Sequence, residues 1–147
     1  MKKIIRWIIS LFKKKVKAIL PMKRSKEEIE LFDLVNQYRK TLDKPIPPLK
    51  WSDKIYIQAR IRNEENIESG MSHDGLPRIT TALTNQGFNF VGENLAEGYP
   101  FVDSVFRAWL NSEKHRYQIE HRNWTHTGLS IYKDANGKNY FCQVFAN

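Results

Sequence analysis

The chain has one cysteine, Cys142, among its 147 residues, so no internal disulfide can hold the fold. Stability has to come from burial and hydrogen bonding, and cysteine usage leaves the cellular compartment open. Long apolar runs are missing too. The uncharged stretch near the amino terminus, Trp7 to Phe12, is far short of the roughly 20 residues that span a bilayer. No low-complexity tract or internal repeat is present. What remains, 41% apolar and 12% aromatic residues over this length, suits one globular domain with a single sizeable core.

Acid is absent from one region. Residues 1–24 hold nine basic side chains and no acidic one, a charge of +9 against +8 for the whole chain, so residues 25–147 sum to −1. The high pI therefore belongs to a tail. A nucleic-acid-binding fold usually carries its basic stripe on the globular part, which argues against nucleic acid as a partner of the domain itself.

The tail is a poor signal peptide: Arg6 interrupts its apolar stretch, and Lys13-Lys14-Lys15 stands where a small-residue cleavage site belongs. At about 100° per residue, Lys2, Lys3, Arg6, Ser10, Lys13, Lys14 and Lys17 gather on one side of a helix. Ile4, Ile5, Ile8, Ile9, Phe12, Val16 and Ile19 fill the other, and Pro21 ends it. A basic face opposite an Ile/Phe/Trp face is the pattern of a helix lying in a membrane interface. Packing on a partner protein or on its own domain, and an uncleaved export signal, are the alternatives.

Pro21–Arg24 links this tail to a second unit, residues 25–147. Ser25 followed by Glu28 reads as a capping box opening a helix, with Ile29, Phe32, Val35 and Leu42 as its apolar residues. Lys44–Pro48 cannot be helical. Ser52 starts a second helix through Ile55, Ala59 and Ile61 to about Gly70. A third spans Pro77 to Gln86, and a fourth begins at Pro100 and shows Val102, Val105, Phe106, Trp109 and Leu110 at helical spacing. The pattern then switches to period two, with Thr127, Leu129 and Ile131 alternating. Asp134–Gly137 supplies a turn, and Tyr140–Phe145 returns as the partner strand. The order is α+β, helices against a small antiparallel sheet.

Five segments in order carry a family resemblance. They are Pro48-Leu49-Lys50-Trp51, Ser72-His73, Gly92-Glu93-Asn94-Leu95-Ala96, Ala108 to Arg116, and Thr125 to Leu129, closed by Phe141-Cys142-Gln143-Val144-Phe145. Over roughly residues 30–147 the chain resembles the CAP superfamily (SCP-like; cysteine-rich secretory, antigen-five and pathogenesis-related-one proteins), in its short, disulfide-free bacterial type. The resemblance implies an α-β-α sandwich with a cleft holding two histidines and two glutamates: His73, Glu93, Glu113 at the end of the fourth helix, and His115. His126 and Asn94 are accessory candidates, Asn94 as a binder of backbone groups.

The residue types suit that grouping. Neutral imidazoles such as His73 and His115 are good ligands for zinc and similar divalent ions, and neighbouring carboxylates fix ring tautomers by accepting the other ring proton. A hydrogen-bond network tying helices to sheet would use the same groups. Ser72 and Ser112 adjoin histidines, but adjacency in sequence is not triad geometry. Cys142 alternates within a strand and reads as packing, His121 as a solvated residue, and Trp109 and Trp124 as core or domain edge.

Three functions follow as expectations. The first is a binding module, its cleft taking a lipid or small ligand and its tail meeting an anionic membrane surface or a protein assembly. The second is a metal-assisted hydrolase with Glu93 or Glu113 as general base. The third is a structural component of a virion or secretion assembly. The expected location is extracytoplasmic or membrane-associated; the resemblance implies no single reaction.

Overall fold

The computed structural model describes residues 23–147, so the expected interfacial helix at Met1–Leu20 lies outside the described residues. Ser25 caps helix α1 (Lys26–Lys40): its Oγ accepts from the Glu28 amide at 3.1 Å while the Glu28 carboxylate accepts from the Ser25 amide at 2.8 Å. The expected capping box is there. The buried face is out of step with expectation, however. It consists of Glu28, Leu31, Val35 and Arg39, and Ile29 is left 43% exposed. Two of these inward residues are charged, and each finds partners inside. Glu28 also accepts from Tyr56 Oη at 2.7 Å and the Ile131 amide at 3.1 Å. Arg39 donates to the carbonyls of Ile119, His121 and Pro47 at 2.8, 3.1 and 3.1 Å.

After a two-residue strand β1 (Lys50–Trp51) come α2 (Asp53–Ser69), capped by Ser52, and α3 (Leu76–Thr84). Strand β2 (Val91–Glu97) is followed by α4 (Val102–Asn111), α5 (Glu113–Glu120), and strands β3 (His126–Lys133) and β4 (Asn139–Ala146). Gly137, at φ 82°, makes the tight β3–β4 turn. The four strands lie in the order β1-β3-β4-β2. Three are antiparallel as expected, but β1 runs parallel to β3, Lys50 opposite His126, so the sheet is mixed. The extended Pro47-Pro48 segment delivers the chain alongside β3 without a hairpin.

Helices cover both faces. On one, Ile55 and Ala59 of α2 and Ile79 and Leu83 of α3 pack on Leu95, Cys142 and Val144. Gly128 permits this closeness, since a Cβ there would overlap the backbone of Ile55 and Tyr56. On the other face, Leu31 and Val35 of α1, Trp109 of α4 and Ile119 of α5 pack on Phe141, Phe145 and Trp124. Trp109 is 1% exposed and donates to the Leu95 carbonyl at 3.3 Å. Burying these faces at about 25 cal/mol per Å² of apolar surface supplies the main stabilising term.

A candidate His/Glu cleft

Strand β2 builds the site by alternation. Leu95, and with it Glu93, faces α2 and α3, whereas Gly92, Asn94 and Ala96 face α4 and α5. Glu93 thus enters a layer that is otherwise apolar, at 5% exposure. A carboxylate there needs partners, and α2 provides one. Arg62, 2% exposed, donates from Nε to Glu93 Oε2 at 3.1 Å and from Nη2 to Oε1 at 3.3 Å. It also donates from Nη1 to Glu65 Oε2 at 2.7 Å, and Nη2 reaches the Ser72 carbonyl. Burial opposes the Arg62 charge, but the hydrogen bonds to Glu93 and Glu65 outweigh it and raise its pKa above the ordinary guanidinium value. Arg78, bonded to Glu65 Oε1 at 2.8 Å, continues the network to the surface.

The same carboxylate holds His73, whose Nδ1 lies 2.9 Å from Glu93 Oε1. An ionised carboxylate only accepts, so Nδ1 carries the proton and Nε2 is left to the open side of the ring. The His73 side chain is 62% exposed, and its backbone carbonyl accepts from the Leu76 amide as the chain turns into α3.

Across the cleft stands α5. Glu113 was expected to end the fourth helix; instead α4 stops at Asn111, Ser112 is extended (φ −96°, ψ 118°), and Glu113 opens a separate helix. Glu113 and His115 therefore share one first turn, which brings both to the cleft despite a spacing of two. Asn94 fixes that turn by donating from Nδ2 to the His115 carbonyl at 2.9 Å, the backbone role expected of it. Burial, and after it the nearby positive charge available to His73, lower the His115 pKa below 6.5, so its ring stays neutral at pH 7. Gly92 makes room below: a Cβ there would strike Gln118 Oε1 and come within 2.9 Å of the Trp124 ring.

His73, Glu93, Glu113 and His115 all line this one cleft of about 650 Å³, with Asn94 and Tyr117 in its wall. His126 does not line it; its Nδ1 meets Thr125 Oγ1 at 2.8 Å and its ring packs edge-on against Phe88. His121, expected in solvent, is partly covered, its ring 4.8 Å from that of Trp124. The central residue that sequence reading passed over is Arg62. Its signal was present, because Ile55, Ala59, Arg62 and Asn66 recur on one helical face, and an arginine on an inward face implies buried acceptors to hold it.

As a metal site the arrangement is partial. Among the described residues no three His, Cys, Asp or Glu side chains are grouped so as to hold one ion. Glu93 is taken up by Arg62 and His73 and serves neither as ligand nor as free base. Of the cleft residues, His73, backed by a carboxylate, and His115, kept neutral, are the two that could hold an ion, too few for a closed structural zinc centre.

Residues 32–145 match the sequence model of the cysteine-rich secretory protein family, CAP. The uncharacterized protein YkwD of Bacillus subtilis (strain 168) is 27% identical over 114 residues, covering 74% of this chain and 44% of the relative. The chain thus spans less than half the length of that relative. An outer surface protein of Borrelia burgdorferi superposes with a TM-score of 0.73 at 23% identity, over 85% of this chain and 96% of the other. An extracellular SCP-domain protein of Bacillus anthracis (strain Ames) gives 0.71 at 25% identity, over 82% and 40% respectively.

Proposed function

Because the chain belongs to the cysteine-rich secretory protein (CAP) family, we propose that it is an extracytoplasmic binding module whose cleft takes a ligand between His73 and His115. The names of its relatives, an outer surface protein and an extracellular SCP-domain protein, support that location. Among the described residues no helix is long and apolar enough to cross a membrane. Tethering to an anionic surface or a protein assembly is a role for the basic segment 1–24, supported by its charge pattern.

The observation that carries this reading is the relay Arg62–Glu93–His73. A buried arginine spends two bonds on a buried carboxylate, and that carboxylate orients an exposed imidazole at the mouth of a cleft. Packing alone does not call for an exposed ring fixed at one nitrogen. The free Nε2 of His73 and the neutral ring of His115 would bind a donor group of the ligand, or a divalent ion such as zinc that the ligand helps to coordinate. A bound ion would add Lewis acidity and a water of lowered pKa.

Isothermal titration with zinc chloride at pH 7.5 tests this. We expect one weak site, lost in His73→Ala and in His115→Ala and weakened but present in Glu93→Gln, as outer-sphere carboxylates typically contribute about 10–100-fold in affinity. Heat unchanged by both histidine substitutions would show that the cleft does not act through these rings.

A further inference from the structure

Tyr117 is an exposed aromatic held in a fixed place. Its ring is 60% exposed and lines the cleft. It follows Glu113 by four positions on α5, so ring and carboxylate are neighbours on one helix face. A single exposed aromatic is ordinary on a protein surface. This one, however, ends a stack that begins in the core. Phe145, fully buried, stacks on Trp124 with ring centroids 6.1 Å apart. Trp124 meets His121 at 4.8 Å, and His121 meets Tyr117 at 5.4 Å with the planes tilted by 40°. His121 thus backs one side of the Tyr117 ring and limits its rotation, while the other side is open at the cleft wall.

The groups around that ring are polar, and among the described residues the charges that line the cleft are matched. Glu113 and Lys114 are exposed neighbours of opposite sign, and the Glu93 carboxylate is paired with Arg62 behind it. His73 offers an acceptor at Nε2, because Nδ1 is committed to Glu93. Leu76 and Val91 add half-buried apolar surface. An anion or an ammonium ion would meet opposed charges here. A neutral molecule with hydroxyls on its edge and C–H groups on its faces suits each part. Every hydroxyl both donates and accepts, and a C–H face packs on the electron-rich face of an aromatic ring. The volume of about 650 Å³ falls in the range of roughly 300–1,000 Å³ common for small-molecule sites.

We infer that the cleft takes a neutral pyranose unit of a glycan, its ring lying on Tyr117 and its hydroxyls turned to Glu113, Lys114 and, across the cleft, His73. This rests on the cleft being the ligand site, and it adds Tyr117 as the residue that selects a saccharide.

The test titrates the isotope-labelled full chain with chitotriose and with maltotriose at millimolar concentration, read by amide shifts. At least one of them should move residues 73, 91–94 and 113–118 and reach saturation. Tyr117→Ala should weaken that binding about tenfold or more, the scale of a lost ring-stacking contact. Tyr117→Phe keeps the ring and should bind as the wild type does, and His121→Ala should fall between the two. No saturable shift with either sugar, shifts outside the cleft, or equal binding by Tyr117→Ala would overturn the assignment, and would leave any zinc binding at His73 and His115 standing. Equal cleft shifts from tri-alanine would also overturn it, in favour of a peptide. Saturable sugar binding through Tyr117 without zinc heat would uphold the saccharide and remove only the ion from the cleft.

Discussion

Two buried arginines on opposite faces of the sheet solve the same electrostatic problem in different ways. Arg62, between α2 and β2, faces carboxylates, and its hydrogen bonds to Glu93 and Glu65 keep its pKa raised against the cost of burial. Arg39, on α1, is 0% exposed with no acid partner. Among the described residues its three bonds go to neutral carbonyls and its Nε has no partner, and burial pushes its pKa down to about 10. Both remain cations at pH 7. Two of the Arg39 acceptors, Ile119 and His121, lie at the carboxyl end of α5, where the helix dipole favours positive charge. Arg39 therefore closes a helix end and the Pro47 segment. Arg62 holds a carboxylate that in turn presents His73. One face uses its buried charge to complete packing, the other to equip a cleft.

The comparison breaks most visibly if each arginine is removed. Arg62→Ala should cost about 3–5 kcal/mol, because it leaves Glu93 buried with only a half-exposed histidine for company. Urea denaturation followed by tryptophan fluorescence would measure it, and a loss below about 1 kcal/mol would mean water replaces the guanidinium easily. Arg39→Met keeps an unbranched apolar stem and strands only carbonyls, so we expect a smaller loss of about 1–3 kcal/mol. It should also leave zinc titration of the cleft unchanged. A larger cost than for Arg62→Ala would reverse the ranking.

The same charges explain what could be read from the sequence. The α+β order, the Ser25 and Ser52 caps and the β3–β4 hairpin were legible, since caps, turns and apolar periods are local signals, whereas the segments meeting at the cleft were legible only through the family resemblance. The inward face of α1 was not. Periodicity favoured Ile29 and Phe32, and the fold buries Glu28 and Arg39 instead, because their partners come from Tyr56, Ile131 and the α5 carbonyls, distant in the chain. The break between α4 and α5 was hidden as well, since Asn111, Ser112 and Glu113 carry no glycine or proline to mark it. Strand β1 is two residues long and pairs in parallel, too short for any period to show.

A smaller effect separates the two faces by pH. The folded His115 binds its proton less readily than an unfolded histidine, so stability falls as pH drops below about 6.5, and its contribution is fully lost once pH passes the lowered folded value. Glu65, whose pKa is lowered below 4.5, gives a separate loss at lower pH. Burial opposes the Glu65 shift, but the bonds to Arg62 and Arg78 prevail. Thermal melts between pH 7.5 and 3.5 should show both steps, and His115→Gln should remove only the upper one. An upper step that survives would assign it elsewhere.

The account turns on the single bond between Glu93 and His73, and the ring itself reports it. In a long-range nitrogen-15 spectrum of the uniformly labelled chain at pH 7.5, neutral His73 should show its proton on Nδ1 and an unprotonated Nε2. Glu93→Gln should shift the population toward the other tautomer. A wild-type His73 already protonated at Nε2, or a tautomer indifferent to Glu93→Gln, would contradict a carboxylate-oriented imidazole in this cleft.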